Sequence, residues 1–295
     1  MIQVSWQTVL KHTCELGEGP VWDNRENRII WLDIVAGEIH SYYPSSEKHT
    51  VFKTGQMTGA AVLCESGELL AAMHNGLYEI NESTGQIKFL VDPETEFPGN
   101  RFNDGKCDPQ GRFWAGTMSI EEDIVNGNLY RYDPDGSIHH FESGIGCSNG
   151  LAWSPDHSTM YYIDSPTQQV YAYDFDSETG NISNKRIAIK IPDGGGYPDG
   201  MTIDSEGMLW ICLWDGWGIA RYNPAKGELL QKIDLPVARV TSCTFGGENL
   251  NDLYVTSAYT RLETADRASQ PLAGSLFVLK NLPVTGLESD RYKRK

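Results

Sequence analysis

With 295 residues and 40% hydrophobic content, the chain is long enough to bury a large core. Its net charge of −16 excludes a surface built for nucleic acid or anionic lipid, which needs clustered Lys and Arg. No apolar run approaches the roughly 18 residues of a membrane-spanning helix, so no membrane contact is expected.

The stretch before Gly19 has no charged segment leading into an apolar one, so no signal peptide is expected. The cysteines, at positions 14, 64, 107, 147, 212 and 243, include no Cys-x-x-Cys pair. They read as buried, reduced thiols of a cytoplasmic protein. Val4–Leu10 looks like a lone strand, and after it a frame repeats. Unit one runs from Gly19-Pro-Val-Trp-Asp through Ile29–Asp33 and Glu38–Tyr43 to Thr50-Val-Phe. Unit two starts at Gly59, unit three at Gly105, unit four at Gly150 and unit five at Gly200; unit six starts near Cys243 without the glycine. Each unit holds short β-branched and aromatic runs split by turn signals such as Asp133-Pro-Asp-Gly and Asp204-Ser-Glu-Gly. Four short strands every 40 to 50 residues is the period of a β-propeller. The expected fold is therefore all-β, a six-bladed propeller of four-stranded blades forming one domain over residues 1–295. Unit six shows only three strands, so the N-terminal strand is expected to supply the fourth and close the ring, removing an open sheet edge.

In a propeller the first strand of each blade lines a central channel, with equivalent positions at equal depth. The residue before each anchor position is Glu18, Thr58, Asp104, Asn149, Asp199 and Ser242. Acids and an amide converging on one axis repel unless a cation sits among them. Oxygen donors suit Ca²⁺, Mg²⁺ or Mn²⁺, and carboxylates also accept Zn²⁺ or Fe²⁺. Taken singly, each is also an ordinary turn residue before glycine; the set at one register is what points to a metal. The connection 92–103 brings Arg101 and Asn103 to the same mouth. Two long inserts, 119–127 with Glu121, Glu122 and Asp123, and 259–273, are expected to act as partial lids. Arg101 reads either as a substrate contact or as an ion-pair partner of the acids at 121–123. All seven histidines fall outside the anchor positions, so no histidine-based zinc site and no Ser-His-Asp triad is expected; there is no Gly-x-Ser-x-Gly elbow and no P-loop.

Gly17-Glu-Gly-Pro-Val-Trp, Asn100-Arg-Phe-Asn-Asp-Gly-Lys, Trp114-Ala-Gly-Thr-Met, Ser148-Asn-Gly-Leu-Ala-Trp-Ser, Tyr161-Tyr-Ile-Asp-Ser and Pro198-Asp-Gly-Met resemble the regucalcin (senescence marker protein)/gluconolactonase family. The resemblance spans nearly the whole chain. It implies a propeller lactonase that hydrolyses sugar lactones such as gluconolactone to the aldonic acid, through water activated by one divalent metal. Glu18, Asn149 and Asp199 match its metal ligands, and Asp199 its general base. Arg101, Asn103 and Glu121 match residues that hold sugar hydroxyls. Asp104, nominated by register, has no ligand role in that pattern and is expected to cap its turn. A monomer or weak homo-oligomer is expected. A non-enzymatic Ca²⁺-binding propeller and a phosphotriester hydrolase are the alternatives.

Overall fold

A computed structural model describes residues 5–294; Val4, the first residue of the expected N-terminal strand, lies outside that range. Six four-stranded antiparallel sheets form the ring of a six-bladed β-propeller. The innermost strands are Gly17–Asp23, Thr58–Leu63, Asn100–Cys107, Ser148–Trp153, Tyr197–Ile203 and Val240–Gly246. Each of the first five blades is a simple meander outward from its inner strand. The sixth takes its outermost strand, Trp6–Thr8, from the other end of the chain, with Trp6 opposite Leu279 and Thr8 opposite Phe277.

Burial follows position in the blade. Arg28–Asp33, a second strand reading Arg-Ile-Ile-Trp-Leu-Asp, is buried at every residue, whereas the outermost strand Lys48–Lys53 is mostly exposed. Strands covered on both faces lose the alternation of half-buried ones. The core lies between blades, as six apolar clusters that each bridge two neighbours around the ring. Ile30, Leu32, Ala61 and Leu69 join blades one and two; Trp114, Leu129, Trp153 and Tyr162 join three and four; Trp22, Trp31, Tyr254 and Val278 join six to one. Trp22, Trp114, Trp153 and Trp210 are all buried there.

After its last strand the chain runs across the face that carries the turns between first and second strands. Ser205 N–H donates to Thr285 O, Lys293 N–H to Gly111 O and Glu65 N–H to Tyr292 O. Residues Leu287–Asp290 line the lower part of a cavity of about 100 Å³ that also meets Asp104, Lys106 and Ser242. The tail thus covers one end of the channel.

Candidate metal centre at the channel mouth

Each innermost strand breaks register with its neighbour at the anchor position. The irregularities fall at Glu18/Val21, Thr58/Ala60, Phe102/Gly105, Asn149/Leu151, Pro198/Met201 and Val240/Cys243. A bulge re-aims the side chain beside it, and six bulges at one depth aim six side chains at the axis. Inner strands also crowd together there. A Cβ on Gly59 would collide with the carbonyl oxygens of Phe102 and Asn103, and one on Gly200 with Ser242. Gly59 and Gly200 mark this close approach.

The acids of the register meet. Glu18, Asp104 and Asp199 are all buried, and Glu18 and Asp199 share a hydrogen bond. Burial, and then the charge of Asp104, pushes Glu18 up to about 8. Burial followed by the charges of Glu18 and Asp104 pushes Asp199 well above the carboxylate range. Burial also raises Asp104, but Lys106 opposes it. Asp104 thus has its own counter-charge on its own strand, whereas Glu18 and Asp199 face each other. Two carboxylates in contact in a dry site cannot both ionise without a cation, so this donor set fits a divalent ion. Capping does not separate the three roles: Glu18 Oε2 accepts Gly19 N–H at 2.8 Å, Asp104 Oδ1 accepts Gly105 N–H at 2.7 Å, and Asp199 likewise accepts Gly200 N–H.

Asn149 is held by its amide nitrogen. Nδ2 donates to Ser165 Oγ at 2.9 Å, and Ser165 Oγ donates to Pro198 O at 2.6 Å, one residue before Asp199. This relay leaves Asn149 Oδ1 turned toward its neighbours, where it accepts a hydrogen bond from Asn103 Nδ2 at 3.3 Å. Asn103 also donates to Ser148 O and accepts Arg101 Nη1 at 2.7 Å. Ser165 belongs to the Tyr-Tyr-Ile-Asp-Ser stretch, but no spacing rule marks it as the residue that orients Asn149.

Arg101 is buried, and burial holds its guanidinium below the usual value. Both of its hydrogen bonds, to Phe102 O and Asn103 Oδ1, use Nη1. It has no ion-pair partner among the described residues. The acid at its insert pairs elsewhere: Glu122 bonds Arg261 at 2.6 Å, joining the 119–127 insert to the 259–273 insert. Glu121 is exposed on that insert and has no hydrogen-bond or ion-pair partner among the described residues. Cys147 is half-buried beside Asn103 and Asn149, unlike the other five cysteines, which are buried.

Residues 16–259 match the family described as SMP-30/Gluconolactonase/LRE-like region. The chain belongs to the SMP-30/gluconolactonase family. Regucalcin of Danio rerio is 37% identical over 295 residues, covering 99% of both chains. A Bacillus subtilis (strain 168) protein, YvrE, whose name assigns it provisionally to the sugar lactone lactonases, is 37% identical over 262 residues, 89% of this chain and 90% of its own. Among solved structures, regucalcin of Agrobacterium tumefaciens strain C58, described as a calcium-binding protein, superposes with a TM-score of 0.94 at 27% identity, covering 98% of each chain. That solved structure shares the fold over essentially its full length.

Proposed function

We propose that the chain hydrolyses sugar lactones to aldonic acids, using one divalent ion held by Glu18, Asn149 and Asp199. The observation that carries this reading is the buried Arg101, without an ion-pair partner among the described residues, beside carboxylates that themselves call for a cation. A metal site alone gains nothing from a second cation nearby, since like charge weakens metal binding. A polyhydroxylated substrate gains hydrogen bonds from it. The names of relatives support lactone chemistry, as said above of YvrE.

When bound, the ion supplies Lewis-acid polarisation and positive charge where an oxyanion develops. Asp199 accepts the proton of the attacking water as general base; a divalent ion held by Glu18, Asn149 and Asp199 would keep it ionised against its buried, acid-rich surroundings. Asn149, oriented through Ser165, holds a neutral oxygen toward the ion. Arg101 binds substrate hydroxyls through the nitrogen atoms not engaged by Phe102 and Asn103, and Asn103 fixes the guanidinium. Glu121, on the exposed insert, reaches the sugar from the rim. The Glu122–Arg261 pair restricts the opening above them.

The test is a panel of sugar lactones assayed by acid release, with Ca²⁺, Mn²⁺, Zn²⁺, Mg²⁺ or Fe²⁺ returned to stripped protein. Turnover restored by at least one ion supports the proposal. Tight Ca²⁺ binding with no turnover of any lactone would favour a binding module instead.

A further inference from the structure

Three histidines and a cysteine that have no part in the channel gather at the seam where the ring closes. His12 and Cys14 lie between the closing strand and blade one, His40 on that blade's third strand and His49 on its outermost strand. One ligand atom from each of His12, Cys14 and His40 lies within 4.8 Å of the other two. Cys14 Sγ is 3.9 Å from His40 Nε2, and Glu38 Oε2 is 3.6 Å from the same nitrogen. The far ring nitrogen of His40, Nδ1, is engaged by His49 Nε2 at 3.0 Å.

We propose that His12, Cys14 and His40 form a second metal site, for Zn²⁺ or a similar borderline ion, that staples the N-terminal segment to blade one. The donors are of a different kind from those of the channel: imidazole and thiolate select Zn²⁺ or Co²⁺, where carboxylates and amides accept Ca²⁺ or Mg²⁺. The surroundings are those of a held ligand set. His40 is 0% exposed and Cys14 1%, Trp31 lies flat against the rings of His40 and His49, and Trp31 Nε1 donates to Cys14 Sγ at 3.4 Å. His49 on Nδ1 leaves Nε2 of His40 as the nitrogen that faces Cys14, as an outer partner does for a ligating imidazole. His12 is half-buried and gives the way in. Glu38, with Oε2 near His40 Nε2 and its other oxygen paired with Lys53 at 3.2 Å, stands beside the three ligands and outside their set.

Binding replaces the Cys14 thiol proton by the metal and releases that proton to solvent; no electron is transferred. The site uses none of the residues of the proposed lactonase centre, so either reading can fail without the other. It departs from the expectation that no histidine-based zinc site exists, which was read from the anchor positions of the channel alone. His12, Cys14, His40 and His49 have no ligand spacing along the chain, and only the ring closure brings them together.

The experiment is titration of metal-stripped protein with Co²⁺, followed by Zn²⁺ competition. The expected result is a thiolate-to-cobalt charge-transfer band in the near ultraviolet, bleached by Zn²⁺ and present in Glu18→Gln and Cys147→Ser. Cys14→Ser should lose the band and bind one ion fewer. His49→Phe, which keeps every ligand but frees His40 Nδ1, should weaken Co²⁺ by about 10–100-fold. His12→Ala, at the half-buried position, gives a second reading that does not disturb the buried thiol, and should weaken Co²⁺ at least as much. No thiolate band in the wild-type protein, or a band that survives Cys14→Ser, would overturn the proposal. Equal Co²⁺ affinity in wild type, His49→Phe and His12→Ala would do so too.

Discussion

Asp199 and Arg101 carry opposite burdens at the same mouth. Asp199 needs a positive neighbour to stay ionised, because burial and Glu18 raise it. Its amide analogue still offers an oxygen to a cation but accepts no proton. Asp199→Asn should therefore retain much of the metal affinity while losing about 10²–10⁴ in lactone turnover. Isothermal titration and kinetics on one preparation check this, and near-normal turnover would remove Asp199 from the chemistry. Arg101 gives the converse pattern. Arg101→Lys and Arg101→Ala should leave metal affinity equal or slightly higher while lowering kcat/KM by about ten- to a thousandfold, or about 1.4–4 kcal/mol of transition-state binding. A collapse of metal affinity with normal kinetics at saturating metal would show that Arg101 only supports the fold. Glu121 was legible both as an acid of the 119–127 insert and by the family pattern, but its exposed loop gives no packing that would single it out from Glu122, which pairs with Arg261.

At the scale of the strand and its turn, the repeat was readable because physics imposes it in every blade. Where inner strands touch, as at Gly59 and Gly200, a glycine is required, and in all six blades a bulge falls at the anchor position. Both leave a trace at a fixed interval, although blade six has Cys243 in place of the glycine. The turn beyond it was only half readable. Asp108-Pro-Gln-Gly-Arg-Phe-Trp and Asp204-Ser-Glu-Gly-Met-Leu-Trp announce turns, but not that each aspartate is buried as a hub. Asp108 Oδ1 accepts Gln110 and Arg112 N–H, and its Oδ2 accepts Arg112 Nε at 2.6 Å and Trp114 Nε1 at 3.0 Å. Asp204 repeats the arrangement with Glu206, Met208, Trp210 and Arg221. Removing such a hub deprives an arginine (Arg112, buried, or Arg221, half-buried), an indole N–H and two backbone donors of their acceptor. Asp108→Ala and Asp204→Ala should each cost about 3–5 kcal/mol, read by urea unfolding. A loss below about 1 kcal/mol in both would mean the turns hold without their aspartates.

For the whole molecule, ring closure by the N-terminal strand followed from counting strands, while the path of the C-terminal tail did not. Its sequence after Leu279 has no period, so nothing local announces that it ties five of the six blades' lower turns. The blades have their own apolar interfaces, so stripping metal should leave the ring folded. Added metal should stabilise it by about 2.7 kcal/mol at a hundredfold its Kd, because it binds the native state. Thermal melts with and without chelator check both halves.

The tail's own contribution can be isolated at Arg291. In blade one the hub aspartate is Asp23, and six residues on stands Ile29 where blades three and five have tryptophan. The tail supplies the missing donor: Arg291 Nη2 reaches Asp23 Oδ1 at 2.7 Å, and Arg28 Nε lies 3.3 Å from Oδ2. Burial alone would raise the Asp23 carboxyl, but the hydrogen bond and charge of Arg291, joined by Arg28, hold it below its usual 3.8. A carboxyl held lower in the folded than in the unfolded chain contributes stability above its unfolded value and loses it as pH falls through its folded one. Arg291→Met should thus cost about 3 kcal/mol near neutrality, the lower end for a buried pair because Arg28 stays. That deficit should shrink as pH drops below about 4, where wild type loses the same contribution. Melting both proteins across that range decides it. A deficit that stays constant into acid would assign Arg291 to packing of the tail rather than to its charge on Asp23.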